Sequence, residues 1–213
     1  MAKGMRKGSQ FERSICKQLS EWWTDGERDD VFWRSAGSGA RAKTRSKTGR
    51  GTFGQYGDVQ ATDPIGQPLI DLFTIEIKRG YGVTVLEAVD KPGTAAYQLW
   101  EKWLRQVIQD HENAGSVSWM LITKRDRKET MAAIPIRMVH RLINCGAEIH
   151  RCIPSAAIRF ATSAETHTSH LHLFTCPLSS LLRRLSCDSV KEAATLERER
   201  HENARRQRDR MHR

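Results

Sequence analysis

The sequence has no apolar run long enough to cross a membrane. None of its 213 residues lies in a segment approaching the roughly 20 consecutive apolar residues that a membrane-spanning helix needs. The N-terminus is basic and contains glycine, and it lacks the apolar core of a secretory signal. We therefore expect no membrane association and predict that the protein works in the cytoplasm.

Cysteines are few and irregularly spaced. An odd number, 5, fits free thiols in a reducing compartment better than a disulfide framework. Cys145, Cys152 and Cys176 are interspersed with histidines, and both residue types bind zinc. No Cys-x-x-Cys or His-x-x-x-His pair occurs. Buried cysteines with surface histidines are therefore favoured over a structural zinc site.

Acidic residues are outnumbered by basic ones. The chain has 35 Lys and Arg against 25 Asp and Glu, a formal net charge of +10. This excess favours a polyanionic partner but does not distinguish among DNA, RNA and acidic lipid. The basic segments lack an amphipathic apolar face, so a membrane surface is the least favoured of these partners.

One basic segment, residues 34–56, contains no acidic residue and several glycines. Lys and Arg neutralise backbone phosphates with release of counterions, and glycines let a loop follow a groove. We predict a DNA-contacting loop, with a solvated flexible loop as the alternative. Its basic residues are Arg34, Arg41, Lys43, Arg45, Lys47 and Arg50.

A carboxylate and an amine lie two residues apart in a segment with a strand pattern. Phe73, Ile75 and Ile77 alternate with polar residues, so Glu76 and Lys78 share the opposite face. A carboxylate can bind a hard divalent cation, and a neighbouring lysine can orient or deprotonate an attacking water. The pattern indicates metal-assisted hydrolysis, with a solvated same-face ion pair as the alternative.

A third candidate group is Asp58, which stands before a second short strand. Residues 63–66, Asp-Pro-Ile-Gly, favour a turn that leads back toward the strand of Glu76. We therefore predict a hairpin that brings Asp58 close to Glu76.

A fourth candidate is Glu12, near the start of a helix predicted over residues 10–23. The helix is indicated by Phe11, Ile15 and Leu19 at helical spacing. Glu12 also ends a Ser-x-x-Glu capping box that starts at Ser9. In the capping alternative its carboxylate reaches back to the amide of Ser9 and has no catalytic part.

The order of these groups resembles the PD-(D/E)XK nuclease superfamily, most closely its archaeal-type Holliday junction resolvases, which also occur in phages. Residues 6–13, Arg-Lys-Gly-Ser-Gln-Phe-Glu-Arg, are similar to the basic opening and first helix of that family. Residues 34–40 are similar to its serine and glycine loop. Asp58 and Glu76-Ile77-Lys78 match its strand acids and lysine, although Gly57 replaces the proline of the superfamily's name.

The resemblance implies a role for each matching residue. Asp58 and Glu76 would bind one or two Mg2+ ions, for which Mn2+ would substitute, with Glu12 binding directly or through water. Lys78 would position the attacking water, and Ser38 would help to hold the phosphate. Related nucleases also carry a glutamine on the next helix, which points to Gln98. DNA contacts outside the 34–56 segment are expected from Arg6, Lys7 and Arg79.

The remaining pattern predicts an α/β fold with a mixed β-sheet flanked by helices, and the resemblance implies that this fold is restriction-endonuclease-like. Residues 97–112 carry a broad apolar stripe, on which Trp100 and Trp103 are expected to pack rather than stack on bases. Residues 117–123 and 130–136 read as strands. We predict one principal domain: a nuclease core over residues 1–136, an extension over 137–187 that extends the sheet or forms a cap, and a charged helical tail over 188–213.

The resemblance implies a metal-dependent DNA endonuclease that resolves four-way junctions as a homodimer, nucleoid-associated or phage-encoded. Paired cuts in two strands would need two active sites related by a twofold axis. The alternatives are a restriction-like, repair or single-strand-directed phage nuclease with the same fold, and a noncatalytic DNA-binding protein in which the acids are structural.

Overall fold

The central element of the computed structural model is a five-stranded mixed sheet. The structure describes residues 3–35, 56–80, 82, 84–163 and 168–211. The sheet has the strand order β3-β4-β5-β7-β6, and only β3 and β4 run parallel. The five strands are β3 (Phe73–Arg79), β4 (Ser118–Lys124), β5 (Thr130–Pro135), β6 (Ala156–Ser163) and β7 (Thr168–Pro177).

A second, two-stranded antiparallel sheet precedes the main one. It pairs β1 (Phe32–Arg34) with β2 (Val59–Ala61). The predicted hairpin between β2 and β3 is wrong, because β2 pairs with β1. The residues read as a hairpin turn instead form a short 3-10 turn, Pro64–Gly66, with Asp63 as its N-cap, and helix α2 (Gln67–Leu72) follows before β3.

Helices cover both faces of the main sheet. The longest in the first half of the chain is α1 (Lys3–Trp23), and the crossover between β3 and β4 contains α3 (Val85–Asp90) and α4 (Ala95–Ala114). A crossover of this kind is what a parallel strand pair requires. The C-terminal half adds α5 (Ile136–Asn144), α6 (Leu178–Arg184) and α7 (Cys187–Met211). The predicted α/β sheet flanked by helices is confirmed.

The core has two parts, one on each face of the sheet. Ile75 and Ile77 of β3 point to the part formed with α1, α2, α5, α6 and α7. Trp119 and Leu121 of β4 point to the part formed with α3 and α4. The stripe predicted on α4 packs as expected, since Trp100, Trp103, Leu104 and Val107 are all buried there.

Helix α1 begins well before the predicted start at residue 10. Ser9 is inside the helix, more than one turn from Lys3, where the backbone amide is already an intrahelical donor. Ser9 therefore cannot be the N-cap, and the capping alternative for Glu12 is wrong. The carboxylate of Glu12 is engaged elsewhere in the structure.

The C-terminal region is integrated with the rest of the chain. Residues 137–187 were predicted either to extend the sheet or to form a cap. Their strands β6 and β7 extend the sheet. The first half of α7 packs on the core through Val190, Ala193 and Ala194. Across the described ranges, no helix combines the length and apolar character needed to cross a membrane.

Candidate active site

Strand β3 presents Glu76 and Lys78 side by side on the face toward α4. Glu76 is only 2% exposed, and the ammonium Nζ of Lys78 donates a hydrogen bond to its Oε1. The side-chain amide of Gln106, on α4, completes a triangle. Its Nε2 donates to Glu76 Oε1 over 2.5 Å, and its Oε1 accepts from Lys78 Nζ over 3.3 Å. All three polar groups therefore have fixed orientations.

Asp58 is fixed to the free edge of β3 by backbone hydrogen bonds. Its amide donates to the carbonyl of Ile75 over 2.7 Å. Its carboxylate Oδ2 accepts from the amide of Ile77 over 2.8 Å. The carbonyl of Asp58 accepts from the amide of Ser35 over 3.0 Å. The acid is thus set opposite the segment that carries Glu76, although no regular strand pairing connects the two.

Gly57 explains the departure from the superfamily's proline. Its φ is +74°, in the left-handed region that favours glycine and that a proline ring cannot adopt. A Cβ at this position would also lie 2.8 Å from the carbonyl oxygen of Ile75. Only glycine lets the chain pass this close to β3 and deliver Asp58 to it.

Glu12 on α1 forms an ion pair with Arg34 at the end of β1. The guanidinium Nε of Arg34 lies 3.0 Å from Glu12 Oε2, and its Nη1 donates to the hydroxyl of Ser9 over 3.1 Å. Arg34 was predicted as a phosphate contact. In this structure its guanidinium is ion-paired with Glu12, and its contact with phosphate stays a prediction.

These elements enclose a polar cavity of about 170 Å³. Four carboxylates and one ammonium line this cavity. The fourth carboxylate is that of Asp110 on α4, a residue that the sequence patterns did not single out. Within the described part of the chain, the lining residues are Glu12, Gly57, Asp58, Glu76, Ile77, Lys78, Gln106 and Asp110.

The surroundings of Asp58 in the cavity shift the pKa of its carboxyl. Burial, and after it the negative charge of Glu76, raises the pKa of the Asp58 carboxyl above its usual range. The hydrogen bond from Ile77 and the charge of Lys78 oppose this rise without cancelling it. The ionised form of Asp58 is therefore costly in the folded protein, and a bound cation would relieve that cost.

The donor set fits a hard divalent cation that retains water ligands. Among the described residues, no three His, Cys, Asp or Glu side chains form a ready-made metal cluster. Mg2+, however, is typically bound through one or two carboxylates together with waters and substrate phosphate oxygens. Asp58 and Glu76 meet that requirement, because both are buried and both line the cavity.

Several predicted site residues do not lie at this cavity. Gln98 is exposed in the first turns of α4, two helical turns before Gln106, the glutamine that reaches Glu76. Arg79 follows Lys78 and points to the opposite face of β3, where its guanidinium carbon lies 5.5 Å from the ring centroid of Phe11.

The remaining predicted residues fall partly or wholly outside the described structure. Arg6 and Lys7 belong to the first turns of α1, and their side chains are not described. Ser38 and the basic residues Arg41, Lys43, Arg45, Lys47 and Arg50 lie outside the described residues.

A larger cavity of about 780 Å³ lies beside the beginning of β3 and the end of α4. Its lining includes Tyr56, Gln67 and Asn113, together with the ion pair of Asp71 and Arg198, whose atoms are 2.7 Å apart. This lining offers one acid, which is already paired, and no lysine. The smaller cavity is therefore the candidate active site.

Comparison with known proteins gave one match. A family model described as "Phage putative PDDEXK endonuclease" matches residues 3–188, a range that contains every residue of the small cavity. No curated protein and no solved structure matches the chain.

We expect Gly57→Ala to destabilise the protein more than Gly115→Ala. Both glycines have positive φ, +74° and +69°, so both substitutions incur the backbone cost of roughly 1 kcal/mol. A Cβ at Gly115 meets nothing within 4 Å, whereas one at Gly57 meets β3. Urea denaturation should therefore show a loss at position 57 exceeding that at 115 by about 1–3 kcal/mol. Equal losses would contradict the close approach to β3.

We expect Asp58→Asn to stabilise the metal-free protein, by roughly 1 kcal/mol at pH 8. The raised pKa of Asp58 means that the wild-type protein loses stability as the pH rises above the unfolded carboxyl pKa of about 4. The advantage of the variant should therefore shrink as the pH falls toward 4. Urea denaturation in EDTA at several pH values measures it.

The matched control for this prediction is Asp90→Asn, the same chemical change at an exposed position at the end of α3. It should leave stability within about 0.5 kcal/mol of wild type. A loss of stability in Asp58→Asn at pH 8 would show that the carboxylate is favourably placed in the metal-free protein, against our expectation.

Proposed function

The chain belongs to the phage PDDEXK endonuclease family, and from this premise we propose that it is a metal-dependent endonuclease that hydrolyses DNA phosphodiester bonds at the small cavity. The observation that carries the proposal is the triangle of Glu76, Lys78 and Gln106, set opposite Asp58. A half-buried lysine held between a carboxylate and an amide, beside a second carboxylate, suits the positioning of water next to a bound cation.

Asp58 and Glu76 are the residues that would hold Mg2+, or Mn2+ in its place, and Glu12 is positioned to contribute through a water. A cation bound there would supply Lewis-acid chemistry, neutralising the negative charge that develops on the scissile phosphate. The family and the donor chemistry support a divalent metal, and the choice of Mg2+ rests on its preference for carboxylate oxygens and retained water.

The chain's own residues then have separate tasks. Lys78 holds the attacking water through a hydrogen bond from Nζ. Gln106 also accepts a hydrogen bond from this ammonium, so Glu76 is not its sole hydrogen-bond partner. Attack by the water forms a new phosphorus–oxygen bond and breaks the bond to the 3′ oxygen. The attacking water releases a proton to solvent, and the departing 3′ oxygen takes one up from solvent. The products are a 5′ phosphate and a 3′ hydroxyl.

Arg34 contributes by orienting Glu12 rather than by contacting phosphate. The ion pair between them leaves Glu12 facing the cavity while the guanidinium remains outside it, since Arg34 is not among the lining residues. Contacts to DNA backbone phosphates are assigned to the other basic residues of the segment 34–56, which are Arg41, Lys43, Arg45, Lys47 and Arg50. The segment joins β1 to Asp58 and is therefore attached at both ends beside the cavity.

A finer proposal concerns the substrate. The resemblance of residues 6–13, 34–40, 58 and 76–78 to archaeal-type resolvases supports a four-way DNA junction cut symmetrically by a twofold homodimer. The same active site would equally serve a phage nuclease that acts on linear duplex or single strands, because substrate choice in this fold resides in loops rather than in the metal site.

We expect Lys78→Ala to lower the rate of Mg2+-dependent DNA cleavage at least 100-fold, the order expected when a positioned proton-transfer or water-orienting group is removed. Lys102→Ala is the matched control, because Lys102 is exposed on the outer side of α4. Single-turnover cleavage of end-labelled DNA measures both variants. Equal rates in folded Lys78→Ala and wild type would refute this active site.

On substrate choice, we expect paired symmetric nicks in a labelled immobile four-way junction and no cutting of the matching linear duplex or single strand. Sedimentation at the working concentration should give a dimer. Cutting of linear DNA as well would retain the nuclease and remove the junction proposal. Salt-sensitive binding of all three DNAs without cleavage would favour a noncatalytic DNA-binding protein.

A further inference from the structure

Asp110 is a buried acid at the active-site cavity. Its exposed fraction is 3%, and it lines the cavity together with Asp58 and Glu76. On α4 it lies four residues after Gln106, so the two side chains occupy the same face of the helix, one turn apart. Gln106 reaches Glu76 from this face, which places Asp110 beside the same group of ligands.

Every other carboxylate of the cavity has a partner. Glu12 pairs with Arg34, Asp58 accepts from the amide of Ile77, and Glu76 accepts from both Lys78 and Gln106. Within the part of the chain that the structure describes, the carboxylate of Asp110 makes no hydrogen bond and no ion pair. Among the described acids that line the cavity, Asp110 is thus the one whose carboxylate has no such partner.

The local structure gives Asp110 no compensating role. It lies in the C-terminal half of α4 (Ala95–Ala114), where the backbone amides are already bonded within the helix, so it cannot act as an N-cap. A buried carboxylate without a partner is costly, and folded proteins pair such groups, neutralise them or use them to coordinate metals. A cation bound by Asp58 and Glu76, which line the same cavity, would offset the negative charge of Asp110.

We propose that Asp110 is a further carboxylate of the divalent-cation site and would bind the cation through water, beside Asp58 and Glu76, because no three such side chains among the described residues already form a metal cluster. This inference rests on the proposed metal-dependent function and adds a water-mediated ligand from α4 to those from the β2–β3 region. With Asp110, both the crossover helix and the edge strand would contribute carboxylates to the site. Three carboxylates also give the cavity the negative charge to bind a divalent ion before substrate arrives.

The experiment is calorimetric titration of Mn2+ into the protein of residues 1–213 without DNA, so that the readout is cation binding and not cleavage. Four variants accompany wild type: Asp58→Asn, Asp110→Asn, Asp110→Glu and Glu112→Gln. Glu112 is exposed on the same helix, and its substitution removes one negative charge without touching the cavity. Circular dichroism spectra and melting curves establish that each variant is folded.

The expected result is that Asp110→Asn weakens Mn2+ binding at least 10-fold, as loss of a coordinating or ligand-orienting group does. Asp110→Glu should retain binding more nearly like wild type, because it keeps a carboxylate, and Glu112→Gln should bind as wild type does. A purely structural role would not distinguish Asn from Glu in this way. If Asp110→Asn does not fold, Asp110→Ser replaces it as the variant without a carboxylate. Asp110→Ser is then expected to bind Mn2+ at least 10-fold more weakly than wild type does.

Two outcomes overturn the inference, and they are distinguishable from each other. If wild type binds Mn2+, Asp58→Asn does not, and Asp110→Asn binds as wild type does, the metal site stands and Asp110 is not a ligand. If wild type binds no Mn2+ at all, the metal-dependent function itself is wrong, and the assignment of Asp110 falls with it.

Discussion

The site depends on two hydrogen bonds between Asp58 and the outer edge of β3. β3 is the terminal strand of the five-stranded sheet, so within the described part of the chain one of its edges has no strand partner. Asp58 occupies that edge in place of a strand, with its amide on Ile75 and its carboxylate on Ile77. The same contact satisfies backbone groups that would otherwise be unpaired and joins the small β1–β2 sheet to the large one. Glycine at position 57 is what permits the approach.

The cavity places four acidic side chains close together, and the rest of the fold must offset the electrostatic cost of this arrangement. Four acids line one small cavity, and each of the engaged ones has a partner from another element: Arg34 for Glu12, Ile77 for Asp58, and Gln106 for Glu76. Glu76 is also paired with Lys78 of its own strand. Large apolar layers above and below the sheet provide the stability that tolerates this arrangement. Functional sites commonly carry such local cost.

The sequence predicted the parts of the site that depend on local periodicity. Alternation along residues 73–78 identified the face shared by Glu76 and Lys78, and the stripe on α4 identified the buried Trp100 and Trp103. It did not predict features set by tertiary placement. The resemblance pointed to Gln98, whereas Gln106 is the glutamine that reaches Glu76. The crossing of α4 over β3 decides which helical turn meets Glu76, and this crossing cannot be predicted from local sequence. A Ser-x-x-Glu pattern suggested a cap at Ser9 although the helix already runs through it.

Asp110 could in principle have been found from the sequence. It is three residues after Val107 and seven after Trp103, so it falls in phase with the apolar stripe of α4, where an acid is out of place. An acid in register with a buried helix face is a sequence signal for a functional group. The same reasoning does not reach Gly57, whose requirement for positive φ arises only from the position of β3.

The route of the chain through the site has a consequence for how the molecule folds. Glu12, Asp58, Glu76 and Asp110 come from α1, the start of β2, β3 and α4, so the reactive cavity is made of contacts between residues distant in sequence. Such contacts require closure of long loops and form slowly compared with local helical structure. No isolated segment or half-synthesised chain contains the whole set of acids in one place. The proposed nuclease activity thus requires the tertiary structure that brings α4 onto β3, the edge strand.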